Sequence, residues 1–266
     1  MSTLRVLVIG DIVGKPGRDA CLEVIPYLKR EKQVEFVIAN GENIAGGSSI
    51  TPDTVKDIFN AGADLMTLGD HTFRKKEAAD LVEKDQRIVR PANYPDGAPG
   101  RGYTILKIGG GIPVAVINLM GRVFMDPLDC PFQKVKKILE EIKGKTKIIF
   151  VDIHAEATSE KVAMGWFLDG KVSAVYGTHT HIQTSDDRVL PKGTAYITDL
   201  GMTGPYESVI GREVEPVLYK FLTGLPSKYD VATRDVRLSG AIVDIDTETG
   251  KAIHIERVHE RVSSRV

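Results

Sequence analysis

Short runs of β-branched and aliphatic residues recur along the chain, and each ends abruptly in polar residues: LRVLVIG (4–10), VEFVIAN (34–40), DLMTLG (64–69), KIIFVDIH (147–154) and VSAVYG (172–177). Runs this uniformly apolar do not alternate, so they suit strands buried on both faces, as in parallel sheets flanked by helices. The segments between them carry helical spacing. RDACLEVIPYLKREK is amphipathic, with Pro26 expected to kink it. Thr51-Pro52-Asp53 reads as an N-cap followed by proline at the first helical position. KKEAADLVEKD, FQKVKKILEEIKGK and TSEKVAMGWFLDG complete the helical set, the last with Thr158 or Ser159 as its expected cap. GYTILKIG and IPVAVINL, joined through GGG, read as paired strands, and TAYITDLG as a further strand. The period-two pattern on either side of DTETGK predicts a terminal hairpin. Strand and helix alternation of this kind defines an α/β protein with helices covering a layered sheet core. A single domain over 1–266 is expected for 266 residues, with no fixed-period repeat.

In such folds ligands lie beyond the carboxyl ends of the strands. The residues that fall there are Asp11, Glu42, Asn43, Asp70, His71, His154, His179 and His181. One aspartate at a strand end is turn chemistry, and one buried histidine is ordinary core. So many at strand ends in one chain call for a common cause. The set mixes nitrogen and oxygen donors and holds no thiolate, which suits Zn, Mn, Fe, Co or Ni better than Ca or a cysteine-based structural zinc. In GTHTHIQT (177–184) the H-x-H spacing either points both rings to one side of an extended segment or lets them straddle two ions in a loop. Either geometry turns Thr180 away or makes it a cap.

Other motifs fail on inspection. GDIVGKPG has three residues between its glycines where a phosphate-binding loop needs four, and Pro16 stands where a magnesium-binding hydroxyl belongs. No GxSxG elbow occurs, so a serine hydrolase is not expected. The net charge of −1 gives no global field for nucleic acid, and no basic tract interleaved with aromatics appears, so strong nucleic-acid binding is not expected. The cysteines Cys21 and Cys130 lack CxxC spacing and suit free thiols in a reducing cytoplasm. MSTLRVLVIGD lacks the features of a signal peptide, and no apolar run reaches the ~20 residues of a membrane helix, so a cytoplasmic protein is expected.

The blocks GDIVGKPGRD, NGENIAGG, LGDHTF, RPANYP, INLMGR, DIHAEATSEK, GTHTHIQT and LPKGTAYITDLGMTGP resemble the calcineurin-like metallophosphoesterases, and within them the bacterial YmdB-type subfamily. The resemblance implies a four-layer α/β/β/α sandwich and a dinuclear centre of iron, manganese or zinc. It implies a phosphodiesterase acting on cyclic nucleotides, 2′,3′-cyclic and also 3′,5′-cyclic, by attack of a metal-bridging hydroxide. Asp11, Asn43 and His181 would serve the first ion, Asp70, His154 and His179 the second, and Glu42 both. His71 would protonate the leaving oxygen. Asp152 or Asp199 could orient a ligand imidazole or equally serve a structural role, and Arg90 and Asn93 are candidate substrate contacts.

Two departures from the superfamily pattern stand out. Asp11-Ile12-Val13 lacks the histidine of the usual Asp-x-His, with Asn43 filling the gap. Asp70 replaces the usual asparagine, which predicts an extra negative charge, tighter metal binding and a less reactive nucleophile. A regulatory or scaffold protein with a weakly active or sensing metal site, and a phosphomonoesterase, are the alternatives. A homo-oligomer joined through the partly apolar stretch 119–130 is also open.

Overall fold

A computed structural model describes residues 2–262. Among these the strands are β1 (Thr3–Ile9), β2 (Asp11–Ile12), β3 (Phe36–Asn40), β4 (Leu65–Thr67), β5 (Ile88–Val89), β6 (Tyr103–Ile108), β7 (Ile112–Met120), β8 (Ile148–His154), β9 (Ala174–Thr178), β10 (Arg188–Val189), β11 (Ala195–Ile197), β12 (Met202–Pro205), β13 (Val236–Asp246) and β14 (Ala252–Arg261). The helices are α1 (Gly14–Glu31), α2 (Pro52–Asn60), α3 (Ala78–Lys84), α4 (Pro131–Glu141), α5 (Thr158–Leu168) and α6 (Val214–Thr223). The result is a mixed α/β protein with two sheets. One runs β2-β12-β13-β1-β3-β4-β5, with β14 added on β13; the other runs β10-β11-β9-β8-β7-β6. Both have a parallel centre. Val8 pairs with Ile38 and Asn40 with Thr67 in the first; Met120 pairs with His154 and His154 with Thr178 in the second. Parallel register brings the carboxyl ends of these strands to one edge of each sheet.

The period-two alternation of buried strands explains the packing. In β1, Val6 and Val8 join Phe36, Val116, Phe150 and Tyr176 in a cluster that draws on both sheets. Leu7 and Ile9 face the other way, onto Cys21, Ile25 and Leu28 of α1 and Ile58 of α2. In β7, Ala115 and Ile117 pack with Val135 and Ile138 of α4 and Met164 of α5. Each Val, Leu, Ile, Phe or Met side chain among these, fully buried, stabilises the fold by about 1.5–3 kcal/mol. Truncating the fully buried Phe150 to alanine would cost about 3–5 kcal/mol.

Local chemistry sets the element ends. Thr51 caps α2 as expected: its hydroxyl accepts from the Thr54 amide, while Thr54 Oγ1 accepts from the Thr51 amide at 2.9 Å. α1 begins at Gly14, earlier than the amphipathic pattern marks, because Pro16 lies in the first turn, where its missing N–H costs nothing. The helix runs on through Pro26 as one element. The expected cap of α5 is corrected. Ala157 is the N-cap, and instead Glu160 accepts the amides of Arg122 and Val123. The terminal hairpin forms as β13 and β14, and GGG is the turn between antiparallel β6 and β7. α6 and the loops around it carry no strong stripe in sequence. Leu119 and Met120 enter the core, whereas Phe124 in the same stretch is 89% exposed. Cys21 and Cys130 are unpaired.

Candidate metal centre

The strand ends converge. Asp11 comes from β2, Glu42 and Asn43 from the loop after β3, Asp70 and His71 from the loop after β4, His154 from the end of β8, and His179 and His181 from the loop after β9. Glu42, Asp70, His154 and His179 each place one donor atom within 4.8 Å of all the others. His154 Nε2 lies 3.0 Å from Asp70 Oδ1, 3.3 Å from Glu42 Oε2 and 3.0 Å from His179 Nδ1. So close an approach demands glycine at 69, where a Cβ would sit 2.3 Å from both Glu42 Oε2 and His154 Nε2.

Asp11, Asn43 and His181 stand beside this cluster. Asp11 is fully buried, and its Oδ2 accepts the His179 amide at 3.0 Å. Its Oδ1 has no hydrogen-bond partner, yet lies 3.9 Å from His154 Nδ1 and 3.9 Å from His181 Nε2. An orphaned carboxylate oxygen at zero exposure is costly unless a cation meets it. Asn43 turns its oxygen to His71 Nδ1 at 2.7 Å, and its nitrogen to Glu42 Oε1 at 2.9 Å and His181 Nε2 at 3.4 Å.

The three histidines are oriented from behind. His181 Nδ1 donates to the Ile210 carbonyl at 3.0 Å, and His179 Nε2 lies 3.1 Å from Glu156 Oε2. His154 Nδ1 meets Thr178 Oγ1 at 2.9 Å, and that hydroxyl donates to Asp152 Oδ1 at 2.7 Å. In each case an N–H is engaged outside the cluster, which leaves the other ring nitrogen to present a lone pair inward. Burial pushes Asp152 up to about 7, and donors from Thr67, Thr178 and Asn40 work against that push.

Of the two roles open to Asp199, its contacts fit the structural one. Its Oδ2 takes the Lys161 ammonium at 2.6 Å and the Thr180 hydroxyl at 2.6 Å, and its Oδ1 takes the Gly201 amide at 2.8 Å. Thr180 therefore turns away from the cluster while its neighbours face in. That geometry needs left-handed backbone at His179 (φ 98°) and His181 (φ 65°), conformations that cost an ordinary residue about 1–3 kcal/mol.

The electrostatics of the bare residues favour a cation. Burial, and then the charges of Asp70 and Asp11, push the Glu42 carboxyl well above its usual range. Burial lowers the His154 imidazole. Burial also lowers His71, against the pull of Asp70, and the ring is 30% exposed with Nε2 3.4 Å from Asp70 Oδ2. The donor set, all nitrogen and oxygen, fits a transition metal.

Arg90 and Asn93 are not brought to this site. The Arg90 guanidinium donates to the carbonyls of Pro91, Ala98, Pro99 and Gly100, and Asn93 bonds the backbone of Met120 and Asp129. Their polar groups hold the 90–101 loop and its neighbours. His254 and His259 lie on β14, both exposed. Glu156, Thr178 and Ile210 were not singled out from sequence. Glu156 stands in the same strand-end block as His154 and could have been, whereas Ile210 acts through a backbone carbonyl and leaves no signal.

Fold and cluster together define an α/β protein with a carboxylate–histidine site able to hold metal. Comparison makes the class specific: residues 7–258 match the family described as YmdB-like protein, and the chain belongs to that family. The 2′,3′-cyclic-nucleotide 2′-phosphodiesterase of Bacillus subtilis (strain 168) is 50% identical over 255 residues, covering 96% of each chain. A crystal structure of a protein from Thermus thermophilus superposes with a TM-score of 0.90 at 43% identity, covering 97% of this chain and 99% of that one. The crystal structure of a novel phosphatase from Mycoplasma pneumoniae gives a TM-score of 0.93 at 32% identity, covering 98% and 94%.

Proposed function

We propose that this chain is a metal-dependent phosphodiesterase that opens 2′,3′-cyclic nucleotides, with 3′,5′-cyclic nucleotides as a second substrate class. Water adds across the P–O2′ bond, leaving a 3′-phosphate and a free 2′-hydroxyl. The observation that carries the reading is the buried, partnerless Asp11 Oδ1, set between His154 and His181 and next to the four-donor cluster. The similarity to the Bacillus subtilis phosphodiesterase supports the substrate class.

Two ions of iron, manganese or zinc are proposed: Glu42, Asp70, His154 and His179 would hold one, and Asp11, His181 and Asn43 the other, with Glu42 shared. Bound there, such ions lower the pKa of water and neutralise phosphoryl charge. The protein's own groups do the rest. His71 keeps Nδ1 on Asn43 and turns Nε2 to the cavity, where as imidazolium it gives its proton to the departing 2′-oxygen. Asp70, 3.4 Å from that nitrogen, works against the burial that lowers the ring. The Ile210, Glu156 and Thr178 contacts keep the ligand rings from rotating. The packing of strands from both sheets in one cluster, with helices on the other face of each, supports a four-layer sandwich and a single domain. Two unpaired thiols suit a reducing cytoplasm.

The test is turnover of 2′,3′-cyclic AMP by purified protein, as isolated, after chelation, and with manganese restored. Activity lost on chelation and regained with metal is expected. Folded protein that cleaves only monoesters, or nothing under any metal, refutes the reading and points to a phosphatase or a regulatory role.

A further inference from the structure

A cavity of about 710 Å³ opens on the metal cluster, and its two sides differ in chemistry. Glu42, Asn43, His71, His179 and His181 make one side. Val209, Ile210, Val217, Phe221 and Tyr229 make the other, all from the segment between β12 and β13. Phe221 is 82% exposed and Ile210 51%, although large apolar groups in open water are unfavourable. Lys220 lines the same cavity, its ammonium 5.5 Å from the centre of the Tyr229 ring.

The apolar side is fastened to the ligand side. Arg212 Nη2 donates to the Gly47 carbonyl at 2.5 Å, and Nη1 reaches the carbonyls of Gly46 at 3.5 Å and Tyr229 at 3.4 Å. The Gly47 amide in turn donates to the Asn43 carbonyl at 3.0 Å. The Ile210 carbonyl holds His181, and Ile210 takes a φ of 45°, which a β-branched residue rarely adopts. A loop held this firmly, at a strained residue, keeps its apolar groups at a fixed distance from the ligands. It is a preformed surface facing the reacting phosphate.

Resting on the phosphodiesterase reading, we infer that the surface formed by Ile210, Val217, Phe221 and Tyr229 is the subsite for the nucleobase of the substrate. The charged side takes the phosphate, and the aromatic and aliphatic side takes the flat face of the base. Arg212 spends its donors on backbone carbonyls, and the aliphatic residues offer none. The Lys220 ammonium and the Tyr229 hydroxyl are the donors this wall leaves for a base edge, so the base is read mainly by its face, as in sequence-tolerant stacking platforms. Purines, with the larger face, are favoured over pyrimidines only modestly.

The experiment compares wild type with Phe221→Ala/Tyr229→Ala, changes at one exposed and one half-exposed ring that leave the core intact. KM for 2′,3′-cyclic AMP is expected to rise about tenfold, while the base-free ribose 2′,3′-cyclic phosphate is unaffected. Binding of adenosine 3′-phosphate to the metal-loaded protein, measured by calorimetry without turnover, is expected to weaken by a similar factor, and binding of inorganic phosphate to stay the same. Equal effects on the nucleotide and the base-free ester, or unchanged adenosine 3′-phosphate binding, overturn the subsite. So does a preference above a hundredfold among the four bases. If wild type cleaves neither ester but its adenosine 3′-phosphate binding still depends on the two rings, the proposed activity fails and the subsite stands.

Discussion

Replacing Thr180 by valine removes one hydroxyl and keeps the shape of the side chain. That hydroxyl donates to Asp199 Oδ2 at 2.6 Å, inside an ion pair with Lys161 that is 1% and 0% exposed. Hydrogen bonds to ionised acceptors contribute about 1.5–3 kcal/mol. The lower end applies here, since Thr180 is only half-buried and Asp199 keeps Lys161, the Gly201 amide and the Thr180 amide. We expect Thr180→Val to lose about 1.5 kcal/mol in denaturant unfolding, or roughly 3–6 °C in Tm for a chain of this size. Thr180→Ser, which keeps the hydroxyl, should stay within about 0.5 kcal/mol of wild type. The effect should also reach the metal site. The bond helps hold His179 and His181 in left-handed backbone, and a loosened loop lets both imidazoles drift. Loss of a group that orients metal ligands typically costs about 10–100-fold in affinity, so zinc affinity, read by competition with a chromogenic chelator, should fall about tenfold in Thr180→Val and not in Thr180→Ser. Equal stability and equal affinity for the two variants would refute the argument that Thr180 sets the geometry of the loop.

Three further outcomes are expected. His71→Ala should lower kcat for 2′,3′-cyclic AMP by about 10²–10⁴-fold with metal content unchanged; metal loss in that variant would show that His71 helps hold the ions instead. Thiol alkylation of the native protein should modify the partly exposed Cys130 and spare Cys21, which is fully buried and whose thiol burial pushes up; mass mapping with Cys21 labelled first contradicts this. For Asp186, burial opposes ionisation, but the hydroxyls of Thr184 (2.6 Å) and Thr198 (2.5 Å) and the Thr198 amide prevail, and its carboxyl lies below the usual range. A depressed folded-state pKa gives stability that is present above the unfolded value of about 3.9 and lost as pH falls through the folded one. Asp186→Asn should therefore flatten the acid limb of the stability–pH curve, and an unchanged limb counts against the assignment.

The convergence of the strand-end residues was legible because one rule governs it: parallel strands end at a common edge, and polar residues there are readable as a group. The same rule says nothing of what holds the ligands. Asp152 was a visible candidate but reaches His154 only through the Thr178 hydroxyl. Asp199 was visible too, yet its partner is Thr180, and the buried Lys161 that pairs with it sits on a helix whose apolar face is not sharply defined. Arg90 and Asn93 look like substrate groups in sequence because they are polar and lie in a Pro-rich loop. Their bonds go to backbone carbonyls, which have no letter in the sequence. α6 was missed for a related reason. Leu218, Tyr219, Phe221 and Leu222 stay exposed, so the helix lacks the one-sided apolar pattern that normally reveals a packed helix.

The metal cluster and the apolar cavity wall thus obey different constraints. Each residue of the site sits on a strand or in the loop just beyond one, and the strands fill the core, so its position is fixed by burial on both faces of a sheet. The wall belongs to the 206–232 segment, where only Gly211, Val217 and Ala232 are buried. Its attachment to the cluster narrows to a few backbone contacts, those of Arg212 and the Ile210 carbonyl. Side chains on that wall can change without disturbing strand register or ligand geometry, provided those contacts survive. On the proposed function, the chemistry is set by the sheets, while the choice of the group carried by the phosphate falls to one little-buried segment pinned by those contacts.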